Sequence, residues 1–226
     1  MNYDELIATL KSMANPDNVA GMARYGIRPE NALGISMPDL RALAKQIGKD
    51  HELALALWES GIHEARMLAT LVEDPKSLSE AQAEAWVLDL DSWDICDGLC
   101  FNVLWQAPFA YDKCFEWSAR SEEFVKRAGF ALMAKLALSD KKAPDDRIAG
   151  FLPAIKTGAT DERNFVKKAV NWALRQVGKR NLALNGKAIA TALEIQTLDS
   201  KSARWIAADA LRELQGEAVR KRLASR

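Results

Sequence analysis

The spacing of hydrophobic positions is helical along almost the whole chain of 226 residues. Apolar residues recur every three or four positions, and the residues that favour helices, above all alanine, leucine, glutamate, lysine and arginine, dominate. No segment alternates apolar and polar residues as a half-buried strand does. The sequence therefore predicts an all-α fold with helices of about 12 to 20 residues. The predicted helix breaks are short polar segments with proline, glycine or asparagine: ANPDN (14–18), RPEN (28–31), EDPKSLS (73–79), DKKAPDD (140–146), KTGATDE (156–162) and LNG (184–186).

Four segments of similar sequence indicate an internal repeat, because each places one basic residue before a run of small residues. The segments are HEARMLATLV (63–72), FVKRAGFALM (124–133), FVKKAVNWAL (165–174) and KSARWIAADAL (201–211), with Arg66, Arg127, Lys168 and Arg204 as the basic residues. The last three bases lie 41 and 36 residues apart, a period typical of two-helix HEAT-like repeats. The interval from Arg66 to Arg127 is 61 residues, so the repeat is irregular there. These bases either line one concave surface of a solenoid or are ordinary solvated charges near helix starts.

Composition is compatible with a folded protein and gives little direct information on its partner. Hydrophobic residues make up 49% and charged residues 27%, which is enough apolar surface for a core. No run approaches the roughly 20 apolar residues of a membrane span, and the acidic N-terminus lacks the apolar core of a secretion signal. Three cysteines, an odd number, favour reduced thiols in the cytosol. The formal net charge is zero, so any surface for a polyanion must be local.

An unusual pair of side chains occurs in DSWDICDGLCFNVL (91–104). The spacing predicts a helix with Asp91 as its N-cap and Asp94 three residues later. Trp93 and Asp97 are four residues apart and lie to one side of the predicted buried positions. These positions are Ile95, Cys96, Leu99 and Val103. The pair is either a functional indole and carboxylate, or an aromatic at the edge of the core beside an acid that the helix dipole favours.

A second candidate lies in DERNFVKKAVNWALRQVGKRN (161–181). Its predicted buried positions are Phe165, Val166, Ala169, Ala173 and Val177. Trp172 is at the edge of this stripe, with Lys168 four residues before it and Arg175 three residues after it, on the same side. An indole between two cations suits a nucleic-acid backbone. The alternative is a boundary tryptophan whose cationic neighbours extend into solvent.

The segment EEFVKRAGFALM (122–133) predicts that Arg127 points away from the buried side of its helix. The predicted buried positions are Phe124, Val125, Ala128, Leu132 and Leu136. Gly129 lies inside this helix, where glycine costs about 1 kcal/mol relative to alanine, so close packing is expected at that position.

Other site chemistry has little support in the sequence. His51 and His63 are the only histidines, and neither has a companion residue in the spacing of a metal site or a catalytic triad. Cys96 and Cys100 are interpreted as buried thiols, since no further ligand cluster accompanies them. Neither a P-loop nor a dinucleotide fingerprint is present, and we expect no metal and no cofactor.

Taken in order, GMARYGI (21–27), SWDICD (92–97), FVKRAGF (124–130) and FVKKAVNWALRQVGKRN (165–181) resemble the AlkD-like family of DNA alkylation-repair glycosylases over most of the chain. This resemblance implies a curved right-handed solenoid of HEAT-like two-helix repeats, forming one domain over residues 1–226. Members of that family form their cleft from two tryptophans, an aspartate, an arginine and an N-terminal tyrosine. The matching positions are Trp93, Trp172, Asp97, Arg127 and Tyr25.

The resemblance also implies an activity, namely hydrolysis of the N-glycosidic bond to an N3- or N7-alkylated purine in duplex DNA, without extrusion of the base. Asp97 would stabilise the sugar cation and orient water, Trp93 and Trp172 would face the positive charge, and Arg127 would hold a phosphate. The remaining bases, Lys168, Arg175, Arg66 and Arg204, would follow the DNA backbone. The expected protein is a cytosolic monomer that needs no protein partner, membrane or cofactor. The alternatives are a non-catalytic binder of DNA structure and a protein-binding solenoid.

Overall fold

The computed structural model describes residues 2–225, and every regular element among them is a helix. The prediction of an all-α fold is therefore confirmed. The helices form two compact units, one ending at Pro108 and the other beginning at Phe109. The first contains α1 (Tyr3–Ser12), α2 (Pro16–Ala23), α3 (Met37–Ile47), α4 (His51–Glu59), α5 (His63–Val72), α6 (Glu80–Leu88), α7 (Trp93–Asn102) and a 3-10 helix (Leu104–Gln106). The second contains α8 (Ala110–Ser118), α9 (Glu123–Ser139), α10 (Asp145–Ala149), α11 (Phe151–Gly158), α12 (Asn164–Gly178), α13 (Leu182–Gln196), α14 (Lys201–Leu214) and α15 (Glu217–Ala224).

The predicted break at LNG (184–186) is wrong, because α13 continues through it. Asn181 is the N-cap of this helix and accepts a hydrogen bond from the amide of Leu184, so the helix break lies just before Leu182. Asn185 is buried, and its side-chain amide donates to the carbonyls of Gly178 and Leu214. An asparagine that usually marks a turn is here a buried donor that ties three helices together.

Most helices are shorter than predicted, with lengths from 5 to 17 residues. Several breaks were not predicted, including the one at 48–50, where Gly48 has a φ of 80° that favours glycine. No helix among residues 2–225 is both long and apolar enough to cross a membrane. Cys96, Cys100 and Cys114 are buried thiols.

Within the second unit, α12 packs between α9 and α14. The buried positions of these three helices define the repeat register. Val125, Ala128, Leu132 and Leu136 recur 41 residues later as Val166, Ala169, Ala173 and Val177, and these recur 37 residues later as Ala203, Ile206, Ala210 and Leu214. This register matches Lys168 with Arg127, as predicted, but it matches Lys168 with Trp205 rather than with Arg204. Arg204 is equivalent to Lys167 and Lys126.

The buried positions also show that the predicted repeat equivalent of Arg66 is wrong by one residue. Ala65, Leu68, Ala69 and Val72 of α5 are buried in the pattern of Val125, Ala128, Gly129 and Leu132, 60 residues later. Arg66 is thus equivalent to Lys126, and the position equivalent to Arg127 is Met67. The four basic residues chosen from the sequence are not one structural set.

Gly129 is a point of close contact between α8 and α9. A Cβ atom placed there would lie 2.4 Å from the backbone nitrogen of Ser118 and 2.8 Å from its Cα. The expected close packing at this glycine is confirmed.

Candidate functional site

Trp93 and Asp97 lie in the first two turns of α7, which is positioned differently from the prediction. The N-cap residue is Ser92 rather than Asp91, and its side chain makes no capping hydrogen bond. The predicted buried positions Ile95, Cys96, Leu99 and Val103 are all buried. Trp93 and Asp97 are partly exposed, one helical turn apart, as their spacing predicted.

The structure brings Tyr25 and Trp93 together within the first unit. The indole Nε1–H of Trp93 donates to the backbone carbonyl oxygen of Tyr25 at 2.9 Å. Tyr25 itself is 72% exposed. Both rings line a groove of about 530 Å³ whose other walls include Met22 and Ile27. Two residues that the family resemblance assigned to one cleft, 68 positions apart, thus share one surface.

Glu64 is a buried carboxylate that sequence reasoning missed. It is 1% exposed, and its two oxygens accept hydrogen bonds from the backbone amides of Leu33, Gly34 and Ile35 at 2.7, 2.6 and 3.3 Å. Three amides compensate the cost of burying the charge. They also fix the segment that follows Tyr25. The only indication in the sequence is an acid next to apolar residues in a short helix.

His63 and Asp94 form an ion pair that the sequence did not indicate. Nε2 of His63 lies 2.8 Å from Oδ2 of Asp94, and Oδ1 of Asp94 accepts from the hydroxyl of Ser92 at 2.8 Å. Burial lowers the pKa of His63, but the hydrogen bond and the charge of Asp94 outweigh it, so the pKa lies above its ordinary value. Burial raises the pKa of Asp94, and the bonds from His63 and Ser92 bring it below the ordinary value.

This pair anchors the first turn of α7 to the start of α5. Asp94 is adjacent to Trp93 and three residues before Asp97, so the anchor fixes the backbone from which both candidate side chains project. A second pair of the same kind joins Nδ1 of His51 to Glu73 at 2.8 Å. The hydrogen bond that His51 donates to Glu73 raises the pKa of His51.

Arg66 has structural contacts. Its guanidinium carbon lies 5.3 Å from the centroid of the Trp58 ring, Nε donates to the carbonyl of Trp58, and Nη1 donates to the carbonyl of Asp89. These bonds cap the ends of two helices, α4 and α6. Arg66 therefore connects three helices of the first unit, whatever else it contacts.

Arg127 is buried, which corrects the prediction that it points into solvent. It is 5% exposed, and its Nη1 donates to the carbonyl of Phe165 at 2.7 Å. The prediction failed because α9 packs against both α8 and α12, so almost all of its surface from Arg127 to Ala134 is covered. A single apolar stripe describes a helix with one buried side, and α9 has more than one.

The other predicted cations of the second unit differ in environment. Lys168 is exposed, and Trp172, one turn later, is half-buried. Arg175 is bound to Glu213 at 2.7 Å and Asp209 at 3.5 Å. Arg204 is exposed and lies 3.3 Å from Asp199. Lys168 and Arg204 are thus available at the surface, whereas Arg175 is neutralised by acids of α14.

Comparison with known proteins identifies the fold and the family. A family described as "DNA alkylation repair enzyme" matches residues 6–214. A solved structure from "a new family of proteins related to the HEAT-like repeat DNA glycosylases with affinity for branched DNA structures" superimposes with a TM-score of 0.82. Its identity is 22%, over 99% of this chain and 96% of that one. The predicted HEAT-like repeat fold is confirmed.

A designed armadillo repeat protein in complex with the peptide (KR)4 is more distant, with a TM-score of 0.42 and 15% identity over 82% of this chain and 79% of that one. A sequence comparison with curated proteins gave no match. Among residues 2–225, no group of three or more histidine, cysteine, aspartate or glutamate residues is arranged to hold a metal ion.

Proposed function

This chain belongs to the DNA alkylation repair enzyme family, and we propose that it is a DNA glycosylase of base excision repair. The substrate is duplex DNA with an N3- or N7-alkylated purine, and the reaction is hydrolysis of the N-glycosidic bond. The observation that carries the proposal is the pairing of Trp93 with Asp97 on the partly exposed side of α7. An indole and a carboxylate on one helix face suit a site where positive charge develops.

The chemistry requires only one carboxylate. Glycosidic cleavage passes through an oxocarbenium-like state, and most glycosidases add a second carboxylic acid to protonate the leaving group. An alkylated purine already carries positive charge, so it accepts the electron pair of the breaking C1′–N bond and leaves neutral. Asp97 stabilises the sugar cation and takes a proton from the attacking water as the new C1′–O bond forms.

The aromatic and cationic side chains have supporting roles in this proposal. The electron-rich face of Trp93 contributes about 0.5–2 kcal/mol of stabilisation to a nearby cation. Trp172 provides a second such face. Arg127 holds a phosphate next to the lesion, although it is 5% exposed and must then turn from the carbonyl of Phe165. Tyr25, Lys168, Arg66, Arg175 and Arg204 contact the DNA backbone, although Arg175 must then exchange Glu213 for a phosphate. The base stays stacked in this proposal.

The rigid support of α7 favours catalysis over simple binding. The backbone on both sides of Trp93 is held by Ser92, Asp94 and His63, and the Trp93 side chain is held by the carbonyl of Tyr25. Catalytic groups need such fixed positions, because small displacements are costly in rate. A surface that only binds DNA has no need of a carboxylate, which repels phosphates.

The test is base release from duplex DNA containing 7-methylguanine, measured in the presence of EDTA. We expect free 7-methylguanine and an intact strand with an abasic site, because only the N-glycosidic bond is hydrolysed. The reaction is expected to proceed in EDTA, since the proposed enzyme is a single-domain monomer that needs no metal or cofactor. Absence of release at enzyme concentrations that saturate the DNA would refute the proposal. A matched duplex without the lesion is the control.

A second candidate function is binding to branched DNA without catalysis. The observation in its favour is the similarity to a family related to these glycosylases with affinity for branched DNA structures. Tight binding to a four-way junction with no release of 7-methylguanine would select this function. Release from duplex DNA would select the glycosylase.

A further inference from the structure

Trp205, on α14, is the one tryptophan of the seven in the chain, all among residues 2–225, whose side chain is largely exposed, at 42%. Trp58 and Trp93 donate their indole N–H groups to Asp89 and to the carbonyl of Tyr25. The indole N–H of Trp205 donates to no residue of the described part of the chain. The apolar face of this ring gains free energy when it is covered, and tryptophan is enriched at binding surfaces.

One cation lies over this ring, and two more are close to it along α14. Nζ of Lys167, which projects from α12, lies 5.0 Å from the centroid of the Trp205 ring. Lys201 precedes Trp205 by one helical turn, and Arg204 is its neighbour in sequence; both are exposed. We call Lys167, Lys201, Arg204 and Trp205 the Trp205 platform.

The acids nearest in sequence leave this platform positively charged. Glu162 accepts hydrogen bonds from the hydroxyl of Ser200 at 2.7 Å and from the amide of Ser202 at 3.1 Å. Asp199 lies 3.3 Å from Arg204. Asp209, one turn after Trp205, is paired with Arg175 and Arg212. Of the three acids near the three cations of the platform, one is thus neutralised by other bases and another is bonded to the start of α14.

The repeat register extends this charge along the second unit. Arg204 is equivalent to Lys167 and Lys126, and neighbouring packed helices are about 8–10 Å apart. Lys126 is neutralised by the largely buried Asp161 at 3.1 Å. Arg204 pairs with Asp199, but both of those side chains are exposed to solvent, so the charge of the row lies mainly at the α12 and α14 positions. Lys168, exposed on α12, occupies the position equivalent to Trp205. At the α14 end of this row of basic residues, the indole of Trp205 thus provides a flat aromatic surface.

We propose that the Trp205 platform binds DNA that contains an unpaired base, with the indole stacked on the base and the cations on the flanking phosphates. The inference rests on the proposed action on DNA. In a perfect duplex both faces of each base are covered by neighbours, so an exposed indole gains little. A flap or gap has bases with free faces, and each base stacked on an aromatic side chain strengthens binding roughly 5- to 150-fold. Lys167, which lies over the ring, adds a positive charge next to the phosphates of the stacked base.

The experiment compares two DNA ligands of the same sequence, a perfect duplex and a duplex with a single-stranded flap, by fluorescence anisotropy at two salt concentrations. The variants of the full chain are Trp205→Ala, Trp205→Phe and Lys167→Ala. Leu193→Ala is the matched control, because Leu193 is a 48% exposed hydrophobic residue on α13, outside the row. Circular dichroism checks that each variant is folded.

We expect Trp205→Ala to weaken flap binding roughly 5- to 150-fold and duplex binding less than about 2-fold. Trp205→Phe retains most of the affinity, Lys167→Ala reduces the salt dependence of flap binding, and Leu193→Ala matches the wild type. Equal flap affinity of Trp205→Ala and wild type would overturn the proposal, and so would an equal loss on both ligands. No binding of either DNA by the wild type would overturn it as well.

A parallel measurement of 7-methylguanine release separates this proposal from the proposed function. We expect Trp205→Ala to release the base from duplex DNA as fast as the wild type does. If the wild type releases the base and Trp205→Ala binds the flap as tightly as the wild type, only the proposed role of the platform is refuted. If the wild type releases no base but Trp205→Ala weakens flap binding strongly, the glycosylase proposal is refuted and the proposed role of the platform is supported.

Discussion

The indole of Trp93 donates its hydrogen bond to the backbone carbonyl of Tyr25 at 2.9 Å, across 68 residues of sequence. The bond turns one edge of the ring towards protein and leaves the ring partly exposed, so Trp93 both fixes the Tyr25 segment and faces the groove beside it. A residue with both roles can be tested by separating them.

Trp93→Phe keeps an aromatic face and removes only the N–H donor. We expect a loss of about 0.5–1.5 kcal/mol in the free energy of unfolding and faster hydrogen exchange around residues 24–27. Base release is expected to fall less than in Trp93→Ala, which lacks both ring and donor. Unchanged exchange at these residues would show that the bond does not hold the Tyr25 segment.

The ion pair of His63 and Asp94 predicts a dependence of stability on pH. Because folding raises the pKa of His63 above its unfolded value of about 6.5, the folded state binds the proton more tightly. The stabilisation is complete below that value and is lost as the pH rises through the higher pKa of the folded state. The lowered pKa of Asp94 has its effect only in acid, as the pH falls through that pKa.

The measurement is the free energy of unfolding of wild type and His63→Gln between pH 6 and pH 8.5. We expect the difference between the two proteins to be largest at pH 6 and to shrink as the pH rises. His51→Gln is the comparison variant: its pKa is also raised, by Glu73, so its stability difference is expected to fall with pH in the same way while α7 stays anchored. A difference that stays constant with pH would mean that His63 is not protonated in the folded protein.

The burial of Arg127 predicts that its removal destabilises the fold. Arg127→Met removes the side-chain donor to the carbonyl of Phe165 and the contacts of a buried guanidinium, and we expect a loss of about 1–3 kcal/mol in the free energy of unfolding. Lys168→Met is the matched control at the equivalent exposed position, with an expected change within about 0.5 kcal/mol. The prediction fails if chemical denaturation gives both variants the same stability.

The two variants also separate stability from DNA binding. At a temperature where both are folded, Lys168→Met is expected to weaken binding to all DNA sequences alike and to lower the salt dependence. Arg127→Met is expected to weaken binding to lesion DNA more than to unmodified DNA. Equal effects on the two DNAs would reduce Arg127 to a structural residue.

Two glycines inside helices predict opposite effects of the same substitution. Gly129→Ala places a Cβ atom 2.4 Å from the backbone of Ser118, so α8 and α9 must separate and stability falls. A Cβ atom added at Gly186 would meet no atom of another part of the chain within 4 Å, and Gly186→Ala in α13 is expected to raise stability by about 0.5–1 kcal/mol. Thermal unfolding of both variants tests this; a stabilising Gly129→Ala would contradict the close packing.

The sequence predicted features that depend on residues close along the chain. The helical period gave the all-α class, and the four-residue spacing of Trp93 and Asp97 placed them on one side of α7. The prediction from sequence failed at positions where a residue contacts more than one neighbouring helix. Arg127 is buried because α9 has neighbours on two sides, and Asn185 lies inside a helix because two distant carbonyls bind its amide.

Residues that act through distant partners were also missed. His63 and Asp94 are 31 residues apart, and neither has a local pattern that indicates the other. Glu64 binds amides about 30 residues earlier in the chain. Arg204 was chosen from the segment KSARWIAADAL, whereas burial assigns the position equivalent to Lys168 to Trp205. A repeat register needs the buried positions, and sequence similarity alone left it one residue off.

The most direct test of the account is single-turnover release of 7-methylguanine from duplex DNA by wild type, Asp97→Asn and Asp91→Asn, with EDTA present. Asp91 is the matched control, because it lies just before the same helix, outside α7. We expect Asp97→Asn to fold and bind DNA like the wild type but to release the base about 100- to 10,000-fold more slowly, and Asp91→Asn to be unaffected. Equal rates for wild type and Asp97→Asn would contradict the central claim that Asp97 stabilises the sugar cation.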